Sequence, residues 1–242
     1  MSKIFILNFK NYFEVSGEQT LELALTAQKV VQMLKINLVL SPPQPAIALV
    51  TKSVRIPVFC QHIDDAPAGQ STGFIVPEIV KKYGISGSLI NHSEHRLDHK
   101  TIDNLIRRLR DLEMTSVVCT RTPEEVVEIS RLKPDFIAIE PPELIGSGKA
   151  VSKESPQIIT DSISSASKYS NCKIICGAGI TDKNDVRTAL QLGVDGILVA
   201  SGIIKSTTWF EKIFELFAAA HDCNPIRERA NQGGGKHKGH GE

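Results

Sequence analysis

Three histidines and a glutamate lie within one short polar stretch, LINHSEHRLDHK, at residues 89–100. His92, His95 and His99 are spaced by three and then four residues, so on a helix they would share one face. That spacing is compatible with a zinc site. Two other interpretations are a catalytic loop in which a single histidine takes part and a helix surface whose histidines are incidental.

Two more side chains with useful chemistry follow short apolar runs. Lys10 comes just after IFILN at residues 4–8, and Glu140 comes directly after DFIAI at residues 135–139. Together with a histidine they can supply a cation, a neutral hydrogen-bond donor and a carboxylate base. Such a set suits moving a proton next to a carbonyl, because the base takes the proton while the other two groups stabilise the developing oxyanion. This chemistry needs neither a hydride carrier nor a metal.

Short apolar runs bounded by turn residues recur along the chain and predict strands. They are almost continuously apolar, as expected of parallel strands that are buried on both faces. Amphipathic stretches between them predict helices over residues 17–35 and 99–112, with two further helices starting near Thr122 and at Thr181-Asp182. The predicted strands are residues 4–8, 37–41, 57–60, 86–90, 115–119, 135–139, 172–176 and 195–199.

Strands that alternate with helices predict βα units with right-handed crossovers. At roughly 28 residues per unit, the pattern fits an α/β fold of the closed (β/α)8 barrel class, with one domain over residues 1–222. The alternative is a doubly wound open sheet, which expects a glycine-rich phosphate loop after the first strand. The segment NFKNYF at residues 8–13 contains no glycine, so the barrel is favoured.

In a barrel of this class, chemistry takes place on the loops that leave the C-terminal ends of the strands. His92 follows the fourth predicted strand directly, whereas His95 and His99 fall further on and are predicted to be surface residues of the next helix. This placement favours the catalytic loop over the zinc site. The side chains that follow strands 1, 4 and 6 are Asn8, Lys10, His92, Glu94 and Glu140.

The loops after strands 7 and 8 contain small residues, in the order Gly177-Ala178-Gly179 and Ala200-Ser201-Gly202. Small residues let backbone N–H groups approach an anion, and these two loops often form the phosphate site of a barrel. A phosphate ester substrate is therefore predicted. Two similar motifs do not qualify: GSGK at 146–149 lacks the flanking residues of a P-loop, and GAGITD at 177–182 lacks the third glycine of a dinucleotide fingerprint.

Charge and composition limit the partners. The 28 basic and 27 acidic residues give a net charge of +1, so no global field favours nucleic acid or an anionic membrane. The chain has no apolar run long enough to span a membrane and no signal-peptide pattern, and its five cysteines fall mostly within apolar runs, which predicts reduced thiols in the cytoplasm. Residues 223–242 are polar and glycine-rich and predict a disordered tail.

Taken together, these motifs resemble the triosephosphate isomerase family over residues 4–220. The pieces that carry the resemblance are NFK at 8–10, HSE at 92–94, AIEPPELIGSG at 138–148 and the two glycine loops; QHID at 61–64 and NHSEHRL at 91–97 are similar to its compact archaeal-type branch. The resemblance implies a TIM barrel that interconverts dihydroxyacetone phosphate and D-glyceraldehyde 3-phosphate through an enediolate, as part of glycolysis and gluconeogenesis. It implies no cofactor and no metal.

The resemblance also implies a role for each matching residue. Glu140 would be the base, His92 the neutral electrophile and Lys10 the cation that stabilises the oxyanion. Residues 141–149 would form a lid over the substrate. The sequence itself adds a reason for a neutral His92, because residues 91–94 follow a strand and are expected to open a short helix, whose N-terminal end disfavours a charged imidazole. Asn8 would help orient the substrate and Lys10, and Glu94 would support Lys10. Backbone contacts to the phosphate would come from Gly146, Gly177 and Ser201, and Ala178 and Ala200 would also bind the substrate.

The family resemblance further implies a homo-oligomer, with a tetramer favoured over a dimer and the loop 61–74 reaching a neighbouring copy. Two other functions are weighed against this one. The first is a different phosphate-sugar isomerase or lyase on the same barrel, and the complete set of lysine, histidine and glutamate speaks against it. The second is a non-catalytic phosphate-binding or interaction protein that kept the scaffold.

Overall fold

Parallel strands form a barrel in the computed structural model, which describes residues 3–144, 149–169 and 172–222. The eight strands of this described part follow one another in the order β2-β1-β8-β7-β6-β5-β4-β3. The closed (β/α)8 barrel predicted from the sequence is thereby confirmed. The strands are β1 (Ile4–Asn8), β2 (Asn37–Ser41), β3 (Phe59–Cys60), β4 (Gly87–Ile90), β5 (Thr115–Thr120), β6 (Phe136–Ile139), β7 (Lys173–Cys176) and β8 (Gly196–Val199).

Among the described residues, β2 and β3 are the neighbouring strands that share the fewest backbone pairings. Within the described ranges, one isolated parallel bridge, Leu40 to Val58, links the two strands. The Leu40 amide donates to the Pro57 carbonyl oxygen at 3.0 Å. The run at 57–60 was predicted as a four-residue strand, whereas β3 itself holds only Phe59–Cys60; Pro57 has no N–H group with which to extend the ladder.

Helices surround the barrel and connect its strands, as the alternating sequence pattern predicts. Short 3-10 turns lie at Phe13–Val15, Gln44–Ala46 and Pro142–Leu144. The helices of the described residues are α1 (Glu18–Leu34), α2 (Ile47–Ser53), α3 (Pro77–Lys82), α4 (His99–Asp111), α5 (Pro123–Ser130), α6 (Val151–Glu154), α7 (Pro156–Ser167), α8 (Lys183–Gln191), α9 (Ser201–Ile204) and α10 (Trp209–Asp222).

Helix starts follow the capping residues read from the sequence. Thr122 caps α5, where its side chain accepts from the Glu125 amide, and Pro123 is the first helical residue. Asp182 caps α8 in a capping box with Asp185. These two helix starts are therefore confirmed.

Alternate residues of the strands face two different parts of the core. Phe5 and Leu7 of β1 point outward and pack in the layer between the strands and the helices. The opposite residues fill the inside of the barrel, so both faces of each strand are apolar, as the unbroken apolar runs indicate. The inner cluster consists of Ile4, Ile6, Val39, Phe59, Leu89, Val117, Cys119, Phe136, Ala138, Ile175 and Leu198.

Residues 223–242, which the sequence analysis predicts to be a disordered tail, lie outside the described residues. Among those described, no helix combines the length and the apolar character that crossing a membrane requires.

Candidate active site

The first side chains of the site leave the end of β1. Asn8 is the last residue of this strand, and its Oδ1 accepts from the Lys10 amide at 2.9 Å. This contact supports Lys10 in an uncommon backbone conformation with φ of 50°. The Lys10 carbonyl oxygen accepts from Gln61 Nε2 at 3.0 Å. The Lys10 backbone is thus hydrogen-bonded through both its N–H and its carbonyl group. The Lys10 side chain is 12% exposed, and its Nζ lies 2.5 Å from Glu94 Oε1.

His92 follows β4 by two residues and is buried. Its Nδ1 accepts from the Glu94 backbone N–H at 3.2 Å. Because Nδ1 serves as an acceptor, the neutral ring carries its proton on Nε2. Nε2 points across the barrel and lies 3.6 Å from Glu140 Oε1.

The short helix expected over residues 91–94 is not formed, and that prediction is wrong. His92 instead begins a turn that the His95 amide closes on the His92 carbonyl oxygen at 2.9 Å, and α4 begins only at His99. The donor that faces Nδ1 is therefore one backbone N–H of a turn, that of Glu94. His95 lies before α4 and is exposed, so it is a surface residue but not a helical one. Its ring stacks on that of His62 with the centroids 3.7 Å apart.

Asn91 and Arg96 hold the loop that carries His92, and the sequence analysis assigned no role to their side chains. Asn91 adopts a φ of 61°, and its side chain accepts from the Leu97 amide and donates to the Cys119 carbonyl oxygen. Arg96 Nη1 donates to the Asn91 carbonyl oxygen at 2.9 Å. An asparagine before the histidine was the available signal, since asparagine tolerates the left-handed conformation better than most residues.

Glu140 follows β6 and is 1% exposed, although it is a carboxylate. Its amide continues the strand by donating to the Thr120 carbonyl oxygen at 2.8 Å. Its Oε2 is buried and has no hydrogen-bond partner within the described residues. Burial raises the pKa of this carboxyl, against the opposing influence of His92, Cys119, Lys10 and Arg96.

Gly177, at the end of β7, makes room for this carboxylate. A Cβ atom at residue 177 would lie 2.7 Å from Glu140 Cγ and 3.0 Å from Glu140 Oε1. The sequence analysis predicted Gly177 only as a phosphate contact. The structure adds that its missing side chain is what allows Glu140 to lie against the β7 loop.

The side chains described above meet in one cleft at the C-terminal ends of the strands. Ala178, Ala200 and Ser201 line it together with Lys10, His92, Glu140 and Gly177. Asn8 and Glu94 line an adjoining hollow, which Lys10 and His92 also border. The described site residues from the sequence analysis thus lie at one end of the barrel. Gly146, the remaining one, lies outside the described residues.

Comparison with known proteins agrees with this arrangement. Residues 3–217 match the sequence model of the family described as Triosephosphate isomerase. The chain belongs to the triosephosphate isomerase family. A triosephosphate isomerase of Cenarchaeum symbiosum is 45% identical over 218 residues, which cover 90% of this chain and 98% of that protein. One from Methanothermobacter thermautotrophicus is 42% identical over 214 residues, covering 88% and 93% of the two chains.

Membership of the triosephosphate isomerase family places the chain among isomerases, so the enzyme class predicted from the sequence is confirmed. A third archaeal triosephosphate isomerase, from Sulfurisphaera tokodaii, is 43% identical over 214 residues, which cover 88% of this chain and 93% of that protein. The source of these relatives agrees with the compact archaeal-type branch that the motifs at 61–64 and 91–97 indicate.

Proposed function

We propose that this chain interconverts dihydroxyacetone phosphate and D-glyceraldehyde 3-phosphate by proton transfer through an enediolate. The observation that carries the proposal is the convergence of a buried carboxylate, an imidazole Nε2 and a lysine ammonium in one cleft. The carboxylate and the imidazole lie 3.6 Å apart at their nearest atoms, Glu140 Oε1 and His92 Nε2. Family membership supports the same reaction, because the relatives are named for it.

Glu140 is the proposed base. It removes a proton from the carbon next to the substrate carbonyl, and the electron pair of that C–H bond forms the double bond of the enediolate. The protonated carboxyl then returns the proton to the neighbouring carbon, so Glu140 ends as it began. Burial raises the pKa of Glu140 and so strengthens its carboxylate as a base.

His92 and Lys10 are proposed to stabilise the oxyanion. With Nδ1 accepting from the Glu94 N–H, the neutral His92 ring donates from Nε2 to the substrate oxygen. It can pass that proton to one oxygen of the enediolate and take the hydroxyl proton from the other. The Lys10 ammonium adds a fixed positive charge, which is effective because the partly buried cleft screens it less than water would.

The remaining residues are proposed to bind and to position. Asn8 holds the Lys10 backbone, and Glu94 holds the Lys10 ammonium. For the phosphate we propose backbone contacts from the two loops after β7 and β8, whose lining residues are small. These contacts come from Ala178, Ala200 and Ser201. The Gly177 amide donates to the Ile139 carbonyl oxygen at 3.0 Å, so Gly177 lines the cleft without a free N–H group. The contact from Gly146 stays a prediction from the sequence.

A coupled assay for conversion between the two triose phosphates tests this function in both directions. The matched pair of variants is His92→Gln, which removes the proposed donor, and His99→Gln, which changes an exposed histidine at the start of α4. We expect His92→Gln to lower kcat by about 10²-fold, in the range for loss of a proton-transfer group, and His99→Gln to leave it unchanged. Purified protein that binds a triose phosphate without turning it over would instead support the non-catalytic scaffold.

We also propose that the chain forms a homo-oligomer, a tetramer rather than a dimer, and works in the cytoplasm. Two exposed apolar side chains support the assembly: Phe13 is 93% exposed, and Phe74 at the end of the loop 61–74 is 57% exposed. The base of this loop is fixed, since the Asp64 amide donates to the Ile75 carbonyl oxygen and Asp64 Oδ2 accepts from the Ile75 amide. Light scattering during size-exclusion chromatography measures the state, and a monomer would contradict the proposal.

A further inference from the structure

A buried carboxylate that plays no part in the proposed chemistry lies beside the β7 loop. Asp185, in the first turn of α8, is 2% exposed. Its Oδ2 accepts from the Thr181 amide at 2.8 Å, from Thr181 Oγ1 at 2.9 Å and from the Asp182 amide at 3.0 Å. These bonds fix the end of the loop 177–181, whose beginning supplies the proposed phosphate contacts.

The other carboxylate oxygen of Asp185 faces a different segment of the chain. Asp185 Oδ1 lies 2.6 Å from the ammonium nitrogen of Lys153 in α6. The neighbouring Ser152 donates from Oγ to the Asp185 carbonyl oxygen at 3.3 Å. Asp185 therefore contacts the segment 149–153 and the loop 177–181 at the same time.

Backbone contacts bring these two segments together without intervening space. The Val151 amide donates to the Ala178 carbonyl oxygen at 3.4 Å. Gly179 has a φ of 71°, and a Cβ atom there would lie 1.8 Å from the Lys149 carbonyl oxygen. Residues 149–153 thus pack directly against the loop 177–181, whose residue Ala178 lines the cleft.

The Asp185 and Lys153 side chains carry opposite charges. Burial acts to raise the pKa of Asp185, but hydrogen bonds from Lys153 and from Thr181 outweigh it and hold the pKa below its ordinary value. Lys153 remains 46% exposed at its side chain, so solvent screens part of the attraction. This ion pair, which we call the Lys153–Asp185 tie, is therefore modest in strength and joins a buried carboxylate to a partly exposed ammonium group.

We propose that Lys153 and Asp185 are positioning residues, which hold the phosphate-facing loop 177–181 against residues 149–153 without touching the substrate. The inference rests on the proposed function, because it assumes that the loop 177–181 contributes to binding of the phosphate group. The tie restricts the loop to its present arrangement, in which Ala178 lines the cleft. Loss of the tie weakens binding of substrate and transition state alike, and such a uniform loss raises KM rather than lowering kcat.

The test uses Lys153→Met, which removes the ammonium and keeps the apolar stem, in the full-length protein. Asp185 is left intact because it also takes part in the capping box of α8. We expect KM for glyceraldehyde 3-phosphate to rise about threefold to fivefold with kcat within about twofold, the scale set by a partly exposed ion pair. Lys153→Arg should restore KM, since arginine keeps the charge and the reach.

The matched control is Lys212→Met, which removes another lysine from an ion pair, with Glu215 on α10 at 3.0 Å. Hydrogen exchange of the amides in residues 178–182 supplies a readout that does not depend on turnover, and it should be faster in Lys153→Met only. Unchanged KM with unchanged exchange in Lys153→Met would overturn the inference, as would an equal rise of KM in the control. A wild type without isomerase activity would refute the proposed function, whereas the exchange comparison would still decide whether the tie exists.

Discussion

Replacing Glu140 by glutamine should abolish most of the activity and at the same time stabilise the fold. The substitution keeps the shape of the side chain and removes its charge. In the native protein this carboxylate is 1% exposed, and its Oε2 has no hydrogen-bond partner among the described residues. The fold therefore buries a carboxyl group in a place that disfavours its charged form, and the reason we propose is catalysis.

The gain in stability of Glu140→Gln over wild type should depend on pH, and the sign of this dependence can be derived. In the unfolded chain Glu140 titrates near its ordinary pKa of 4.5, and in the folded protein burial raises that pKa. Between the two values the unfolded chain has released its proton while the folded protein keeps it, so stability falls as pH rises. Each unit of difference costs about 1.4 kcal/mol once pH exceeds both values. The glutamine variant carries no such cost at any pH.

The assay is denaturant unfolding of wild type and Glu140→Gln across the acid and neutral range, with the exposed Glu128→Gln as the control. The difference in free energy of unfolding should be smallest below pH 4.5, grow with rising pH and then level off. In parallel, kcat should fall by at least about 10²-fold, as expected for loss of a general base. A difference that does not vary with pH, or an unchanged kcat, would refute the reasoning.

Four further outcomes are expected. The acid limb of the wild-type kcat/KM profile should lie above pH 4.5, because activity falls as Glu140 takes up a proton at its raised pKa; a limb at or below 4.5 would remove Glu140 as the base. Gly177→Ala should lower kcat by about 10²-fold, since its Cβ would lie 2.7 Å from Glu140 Cγ and displace the base by roughly 1 Å; a crystal structure with Glu140 in place would contradict this. Treatment with a chelator such as EDTA should leave the rate unchanged. Inactivation would instead support a metal site formed by the histidines of residues 89–100. Deleting residues 223–242 should leave kcat and the melting temperature intact, because the family match ends at residue 217; loss of either would show that the tail packs on the barrel.

The positions of the principal site residues could be predicted because parallel strands carry their C-terminal ends to one face. Lys10, His92 and Glu140 each follow an apolar run that proved to be a strand, so strand assignment alone brought them together. The alternation of strands with helices similarly limited the fold to a few architectures.

Loop geometry and packing across strands could not be predicted in the same way. The contact that sets the His92 tautomer comes from a turn, where the sequence suggested a helix. Arg96 and Gln61 act through hydrogen bonds to backbone carbonyl oxygens, and such bonds leave no periodic pattern. The space that Gly177 provides depends on Glu140, a residue 37 positions earlier in the chain, so only the folded structure relates the two.

The weakly paired join between β2 and β3 is connected to the loop that carries Lys10. Gln61 Nε2 donates to the Ser41 carbonyl oxygen at the end of β2 and to the Lys10 carbonyl oxygen, so one amide group contacts both this join and the loop that carries Lys10. Any local opening between Leu40 and Val58 would strain both bonds of that amide. Partial opening at this join would therefore also release a hydrogen bond that holds the Lys10 backbone, and we expect such opening to reduce the activity.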